Sequence, residues 1–347
     1  MINPPLPETI ETVESLEELM TRPAVRLVES MRALTGDIVI LGVGGKMGPS
    51  LAVLAARAVE ASGVARRITA VSTFSQSHVR AELETHGVVT HQADVLAPGA
   101  VDSLPEAENV LYMIGRKFGS TGAEWDTWAT NVFAAGLCAR RFAKSRIVAF
   151  SSGNIYPFVP IEGGGATEST APNPVGEYAM TGLGRERMFD HAAHQYGTQV
   201  LHYRLNYAVE LRYGVILDVA QKVWNGEPID VTMGYANCIW QGHANAVALQ
   251  CLPLASSPPT ILNVTGIERI SIRELAARMG ALMGKTPRIT GAEAKTALLS
   301  NASKCHELFG APDVNLETLY RWVAHWIQHG GKTLSKPTHF ETRDGKF

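Results

Sequence analysis

The sequence lacks paired cysteines, long apolar runs and blocks of basic residues, and each absence excludes a class of protein. Its four cysteines are far apart with no C-x-x-C pair, which argues against a zinc site or a disulfide framework and indicates a reducing compartment. No apolar run approaches the length that crosses a membrane, and the acidic N-terminus lacks the apolar segment of a secretory signal. We therefore expect a cytoplasmic protein with no metal site and no membrane contact.

The charged residues make up 18% of the chain and give a net charge of −2. Basic pairs such as Arg66-Arg67 do not extend into a patch, so nucleic acid is not an expected partner. A length of 347 residues and a hydrophobic content of 46% fit one large or two modest globular domains.

Glycine is concentrated at one informative place, the turn from Gly42 to Gly48. The apolar run Ile38 to Leu41 before it is typical of a buried parallel strand, and an Ala-rich helix follows Pro49. The glycine spacing is G-x-x-G-x-x-G, because Met47 stands where the commoner G-x-G-x-x-G has its last glycine. Such a turn lets a pyrophosphate approach the main chain at the positive end of the helix dipole. The stretch predicts a dinucleotide site; a tight turn without a ligand is the alternative.

Further apolar runs alternate with helical segments as far as residue 205, which predicts right-handed crossovers and a parallel sheet. The sequence thus predicts an α/β fold, a doubly wound parallel sheet of Rossmann type with a smaller C-terminal α/β substrate lobe. The expected strands are 38–41, 67–72, 87–95, 109–115, 146–152 and 198–205.

Four segments follow from this pattern: an N-terminal helical extension, a dinucleotide-binding domain, a substrate lobe interleaved with that domain, and a polar, loose C-terminal arm. Ser15 followed by Glu18 predicts a capping box that opens a first helix, and a second helix is expected after Pro23. The expected boundaries are 1–36, 37–206, 207–330 and 331–347.

The end of the second strand bears on the identity of the cofactor. NAD-selective folds usually carry Asp or Glu there, whereas this chain has Ser72 and Thr73 with no arginine beside them. The expected cofactor is NAD or NADP, undecided between the two.

Several short motifs between Asp37 and Trp326 are informative as a set. They are the turn glycines, Asp94-Val95, YMIG at 112–115, Asn131, Ser151-Ser152 with Tyr156, Tyr178 with Glu186, Arg204-Leu205-Asn206 and Leu262 to Gly266. Jointly they resemble the extended short-chain dehydrogenase/reductases, the NAD-dependent epimerase/dehydratase group. The resemblance implies a cofactor site made of Gly42, Gly45, Lys46, Met47, Gly48, Ser72, Asp94, Val95, Met113, Ile114, Gly115 and Tyr178.

The resemblance also implies hydride transfer at a nicotinamide, with Tyr178 as general acid or base on an alcohol or carbonyl oxygen. Ser152 would hydrogen-bond the reacting oxygen, and Asn131 would order the network. The alternatives are a serine that satisfies backbone groups and a buried structural amide. A tyrosine base at neutral pH needs a nearby cation, because the ordinary pKa of a phenol is about 10.

The family supplies that cation with a lysine four residues after the tyrosine, and here the position holds Gly182. Three explanations stay open. Arg185, Arg116 or Lys117 supplies the cation instead; Tyr178 stays protonated and acts only as an acid; or the protein binds a dinucleotide without catalysis, as a redox sensor or scaffold.

The substrate is expected between the carboxyl edge of the sheet and the C-terminal lobe. Amide, indole and guanidinium groups suit a polyhydroxylated molecule, so we expect a sugar, a sugar acid or a nucleotide sugar. His243 stands where relatives often carry aspartate and is expected to be structural. The candidate substrate residues are Asn154, Tyr156, Arg204, Asn206, Trp240 and Gln241.

Relatives commonly dimerise through the two helices that here bear Asn131 and Tyr178, so the resemblance implies a homodimer. A small, apolar surface on the first of these helices would suit close packing. The residues expected to form it are Ala129, Ala134, Ala135, Leu137, Ala139 and Phe142.

Overall fold

The structure is a computed structural model that describes residues 5–119 and 121–346. Its strands are β1 Ile38–Leu41, β2 Ile68–Ser72, β3 Val89–Gln92, β4 Asn109–Tyr112, β5 Arg146–Ser152, β6 Val159–Pro160, β7 Gln199–Leu205, β8 Ala208–Val209, β9 Pro228–Asp230, β10 Tyr235–Ala236, β11 Ile239–Trp240, β12 Thr260–Val264, β13 Ile270–Ser271, β14 Arg288–Thr290 and β15 Thr296–Ala297.

Its helices are α1 Val13–Met20, α2 Val25–Ala33, α3 Gly48–Ser62, α4 Ser77–Thr85, α5 Glu124–Trp128, α6 Ala134–Arg141, α7 Glu177–Tyr196, α8 Val215–Asn225, α9 Gln241–Gln250, α10 Ile272–Met283, α11 Ser303–Phe309 and α12 Leu316–Gln328. A π-helical turn, Ala129–Phe133, joins α5 to α6. None of the described helices is both long and apolar enough to span a bilayer.

Seven parallel strands form the central sheet in the order β12-β7-β5-β4-β1-β2-β3. This is the doubly wound arrangement, in which the chain direction across the sheet reverses between β1 and β4. The predicted parallel α/β sheet is therefore confirmed. A crevice for ligands opens at this switch point, outside the carboxyl ends of β1 and β4.

Two predicted strands, 38–41 and 146–152, have the predicted bounds, whereas the fourth is shorter than expected. It ends at Tyr112, because Met113 to Gly115 leave the sheet and line a cavity beside the glycine-rich turn. Helix α1 begins before the predicted capping box. Thr12 is its N-cap, and Ser15 stands at the third helical position of the box instead of opening it.

The described part of the N-terminal extension, residues 5–36, packs on two separate apolar cores. Leu27 and Met31 of α2 join the core on one face of the sheet, together with α3 and α9. Leu16 and Met20 of α1 join a second core built from α8, α10 and α12, which we name the C-terminal lobe. The extension thus covers both parts of the molecule.

The segment after residue 330, the C-terminal arm (residues 331–347, described to 346), is not loose. Thr338 and Phe340 are each 1% exposed, and Phe340 belongs to the core of the C-terminal lobe. The expectation of a loose arm was wrong, because a largely polar stretch can be held by one buried aromatic ring and by hydrogen bonds to distant residues.

Candidate active site

The glycine-rich turn has a backbone path that larger residues cannot follow. Gly42 has φ +85°, and a Cβ there would lie 2.7 Å from the backbone nitrogen of Ile114. A Cβ on Gly48 would run into the carbonyl group of Val43. Helix α3 begins at Gly48, so its unpaired N–H groups and positive dipole end face the turn.

A cavity of about 330 Å³ lies between this turn and the ends of β2 and β4. Eight of the expected cofactor residues line it: Gly42, Gly45, Ser72, Asp94, Val95, Met113, Ile114 and Gly115. Thr130 and Ala134 also line the cavity, and the sequence analysis missed them. They are four positions apart and therefore lie on one face of the helix that carries Asn131, which could have indicated them. The tight glycine cradle and the adjoining cavity fit a dinucleotide.

Lys46 extends from the turn toward the C-terminal lobe. The residue as a whole is exposed, while its ammonium group lies over the ring of Tyr213. Desolvation of that group and the charge of Lys117 lower the pKa of Lys46 to about 7.

Tyr178 is the second residue of α7 and is half-buried. The Nζ atom of Lys117, which follows β4, lies 5.9 Å from the centre of the Tyr178 ring. Burial lowers the pKa of Lys117 to about 8, with partial compensation from Asp218 and Glu341. Lys117 therefore carries its charge at neutral pH. Burial also raises the pKa of the neighbouring Tyr207, and the nearby phenol of Tyr178 adds to the rise.

Ser152 ends β5 and caps the short 3-10 turn that follows it. Its Oγ accepts hydrogen bonds from the backbone nitrogen and from Nδ2 of Asn154, each at 3.1 Å. The capping role weighed as an alternative is therefore present. Since both bonds use the oxygen as acceptor, the hydroxyl proton can still be donated to another group.

Asn131 is fully buried within the π-helical turn. Its Oδ1 accepts from the backbone nitrogen of Arg116 at 2.7 Å and from Nη2 of Arg185 at 3.0 Å. Its Nδ2 donates to the Arg116 carbonyl oxygen and to Oγ1 of Thr181, which in turn donates to the Tyr178 carbonyl oxygen. The amide is thus satisfied, and it joins the loop after β4 to the first turn of α7.

The three candidate cations occupy different places. Arg185 is buried and donates to Asn131 and to the carbonyl oxygen of Phe150, and Arg116 pairs with Asp126 at 3.3 Å. Of the three, Lys117 has the ammonium group that faces the Tyr178 ring.

The position of the missing lysine faces a crowded surface. A Cβ on Gly182 would lie 3.3 Å from Cγ2 of Ile155, in the turn after β5. A lysine at 182 would therefore require Ile155 to move.

Two of the expected substrate residues take part in a buried network. Arg204 forms a bidentate pair with Glu186, at 2.9 and 2.7 Å, and Ser151 donates to the same carboxylate. Arg204 also donates to the hydroxyl group of Tyr156, which donates to Oδ1 of Asn263. With exposures of 3% and 2%, Arg204 and Tyr156 hold β5, α7, β7 and β12 together, and we reassign them to this structural role.

The remaining expected substrate residues divide in a similar way. Trp240 packs in the core of the C-terminal lobe, and Gln241 donates to Oγ of Ser50 at 3.1 Å. Asn206 is also buried, whereas Asn154 is half-buried beside Ser152. Trp240 and Gln241 therefore do not line the crevice. Trp240 is buried in the lobe core, and Gln241 faces Met20 on α1 and Ser50 on α3.

His243 lies on α9, away from Tyr178. Burial lowers the pKa of His243 to about 4, against the opposing charge of Asp313. The ring is therefore neutral at pH 7, and it stays assigned to a structural role.

Comparison with known proteins gives a family and a fold. The sequence profile of the NAD dependent epimerase/dehydratase family matches residues 38–229. No curated protein sequence is significantly similar to the chain.

Several solved structures share the fold at low sequence identity. A UDP-glucuronic acid 4-epimerase from Bacillus cereus, in complex with NAD, has 14% identity and a TM-score of 0.70, covering 85% of this chain and 100% of its own. A UDP-glucose 4-epimerase from Thermotoga maritima, with UDP-glucose, has 14% identity and a TM-score of 0.69, covering 85% and 99%. A Thermus thermophilus UDP-glucose 4-epimerase, with NAD, has 17% identity and a TM-score of 0.67, covering 84% and 99%.

Proposed function

The chain belongs to the NAD dependent epimerase/dehydratase family, and from this premise we propose that it oxidises, reduces or epimerises a hydroxyl or keto group of a sugar-like substrate, with Tyr178 as the general acid or base. Its cofactor is NAD or NADP. The observation that carries the proposal is the ammonium group of Lys117, 5.9 Å from the Tyr178 ring. The similar solved structures include proteins described with UDP-glucose or UDP-glucuronic acid and NAD, which supports a carbohydrate substrate.

The glycine cradle and its cavity are the proposed cofactor site. The backbone N–H groups of residues 43–48 would hold the pyrophosphate, and Asp94 and Val95 would lie against the adenine. Bound there, the nicotinamide supplies the acceptor or donor of a hydride. Met113 to Gly115 line the same cavity and would keep water away from the dinucleotide.

Lys117 takes the role that a lysine at position 182 has in relatives. A cation near the phenol would stabilise the negative charge that develops on the Tyr178 oxygen as it exchanges a proton with the substrate. Ser152 would donate its remaining proton to the same substrate oxygen. Arg185 would act indirectly. It donates to Asn131 and so would fix the amide that contacts the first turn of α7.

A Tyr178→Phe variant tests the assigned role. It should lower kcat by about 10²- to 10⁴-fold, because the phenol's proton transfer is lost while the fold is kept. The probes are D-glucose, D-glucuronic acid and their UDP-linked forms, followed at the nicotinamide absorbance band with NAD and NADP. Calorimetry should find unchanged cofactor affinity. Wild-type activity in Tyr178→Phe would contradict the role.

Lys117 variants separate charge from packing. Lys117→Met should lower kcat, and Lys117→Arg should restore part of it, because only the second keeps a cation beside the phenol. Equal loss in both variants would argue against an electrostatic role. If the wild-type protein binds the cofactor but transfers hydride from none of the probes, the alternative of a non-catalytic dinucleotide-binding protein is supported instead.

We also propose a homodimer through the helical face of α5, α6 and α7. Trp125 on α5, Phe133 on the π-helical turn and Met180 on α7 are 69%, 59% and 38% exposed, and such large exposed apolar side chains favour association. Of the six residues expected to form the packing surface, four are buried in the core beside the sheet instead, namely Ala134, Ala135, Ala139 and Phe142. A Phe133→Asp variant should shift the mass found by light scattering from dimer to monomer, and a monomeric wild-type protein would contradict the proposal.

A further inference from the structure

The C-terminal arm crosses from the C-terminal lobe to the sheet side of the molecule. The carbonyl oxygen of Thr338 accepts from Nζ of Lys117 at 2.8 Å, and the ring of His339 lies 6.1 Å from that of Phe118. The backbone nitrogen of Thr338 donates to Asp218 on α8 at 2.8 Å. The arm therefore joins the loop after β4 to the lobe.

The end of the arm makes a second crossing. Arg343 donates to the carbonyl oxygen and to Oγ1 of Thr296, at 2.8 and 2.7 Å. Its guanidinium group also lies 4.4 Å from the centre of the Phe158 ring, in the segment after β5. Gly345 lies so close to Gly176, just before α7, that a Cβ on Gly176 would run into its carbonyl oxygen.

These contacts bring the arm to residues that neighbour Tyr178. Lys117 touches the arm and faces the Tyr178 ring, so one side chain separates Thr338 from the proposed catalytic phenol. The segments that the arm bridges follow β4 and β5, precede α7 and belong to the lobe. These segments enclose the crevice outside the carboxyl edge of the sheet, where substrates of such folds bind.

We propose that the C-terminal arm roofs the substrate crevice and restricts the enzyme to a small sugar or sugar acid without a nucleotide handle. This inference rests on the proposed function, since it concerns the substrate that meets Tyr178. A nucleoside diphosphate joined to a sugar at Tyr178 would have to leave the crevice between the two halves of the molecule. Residues 338–345 close that way out.

The arm is held by contacts that an incoming nucleotide would have to replace. Nη1 and Nη2 of Arg343 donate to Thr296, and Glu341 pairs with Lys222 at 3.1 Å. Phe340 is buried in the lobe core, so the arm cannot swing away without exposing that ring.

The test measures binding of UDP and UDP-glucuronic acid to the full chain loaded with NAD. The first variant ends at Lys336 and lacks the roof. The second variant, Arg343→Ala, keeps Phe340 in the core and removes only the contacts of the second crossing, between Arg343 and Thr296. It keeps the test valid if the truncated chain does not fold. Arg278→Ala, which breaks a surface pair with Glu317, is the matched control.

We expect calorimetry to find no UDP binding to the wild-type or control proteins at millimolar concentration, and at least tenfold tighter binding to both arm variants. In the wild-type protein, kcat/KM for D-glucose or D-glucuronic acid should exceed that for the UDP-linked sugars at least tenfold. Micromolar UDP binding by the wild-type protein, or UDP affinity that neither arm variant changes, would overturn the proposal. Because UDP binding needs no turnover, exclusion of UDP without any hydride transfer would refute the proposed function and leave the roof intact.

Discussion

The glycine-rich turn and the substrate crevice are built in opposite ways. The turn is seven consecutive residues, Gly42 to Gly48, with glycine at the two ends, where the backbone path leaves no room for a Cβ atom. The crevice is assembled from distant segments: Lys117 and Thr338, which meet beside Tyr178, are 221 positions apart in the chain.

The cofactor site therefore depends on local sequence, whereas the substrate site depends on tertiary structure. Cofactor binding of this kind depends on main-chain N–H groups and on the absence of side chains, so a short local sequence can carry it. Substrate selection depends on which distant segments reach the same place.

The largest effect should come from the buried network beneath the crevice, through Glu186→Gln. The change leaves the Arg204 guanidinium buried without its counter-charge, and it should lower the free energy of unfolding by about 3–5 kcal/mol. Urea denaturation measures the loss. The matched control, Glu293→Gln, breaks a surface pair with Arg273 and should change stability far less.

The same residue gives a pH prediction. Burial pushes the pKa of Glu186 up, but the hydrogen bonds and charge of Arg204, with His202 and Ser151, bring it below the ordinary value of 4.5. The folded state therefore favours the ionised form of Glu186 more than the unfolded state does. Its contribution is present above pH 4.5 and is lost as the pH falls through the lower folded pKa. Wild-type stability should fall more steeply than that of Glu186→Gln in this range, and parallel curves would contradict the assignment.

This network also shows what the sequence could not reveal. Arg204 and Tyr156 were expected at the substrate because their polar groups suit a sugar, yet those groups are taken up by Glu186 and Asn263. Nothing local in the sequence says whether a guanidinium group meets a ligand or a carboxylate 18 positions away. The apolar strands and the glycine-rich turn could be predicted, since burial and backbone freedom follow from residue type.

The C-terminal arm is a second case in which contacts between distant residues overturn an expectation from the sequence. Its composition predicts a loose tail, and a single buried ring, Phe340, together with hydrogen bonds from Thr338, reverses that expectation. Likewise, Gly182 shows that a lysine is missing, but only the approach of Lys117 from another loop shows which cation faces the phenol.

A smaller effect is expected on the cofactor side, from Gly48→Ala. The new Cβ would meet the carbonyl group of Val43, so the turn must shift, at a cost of about 1–3 kcal/mol, and cofactor binding should weaken correspondingly. Calorimetry with NAD and urea denaturation measure the two effects. Gly63→Ala is the control: it has φ +72° but open space around it, so it should cost about 1 kcal/mol of stability and leave NAD affinity unchanged.

The smallest effect concerns the cofactor's phosphate state, which the sequence left open. Among the described residues that line the cavity, Asp94 is the only charged one, and it is negative. A 2′-phosphate would meet no cation there, so NAD should bind at least tenfold more tightly than NADP, a difference of about 1.4 kcal/mol. Thr73, exposed at the rim of the cavity, gives the sharper form of the test. Thr73→Arg should raise NADP affinity and Thr73→Ala should not; equal binding of both cofactors by the wild-type protein would mean that a residue outside this cavity reads the phosphate.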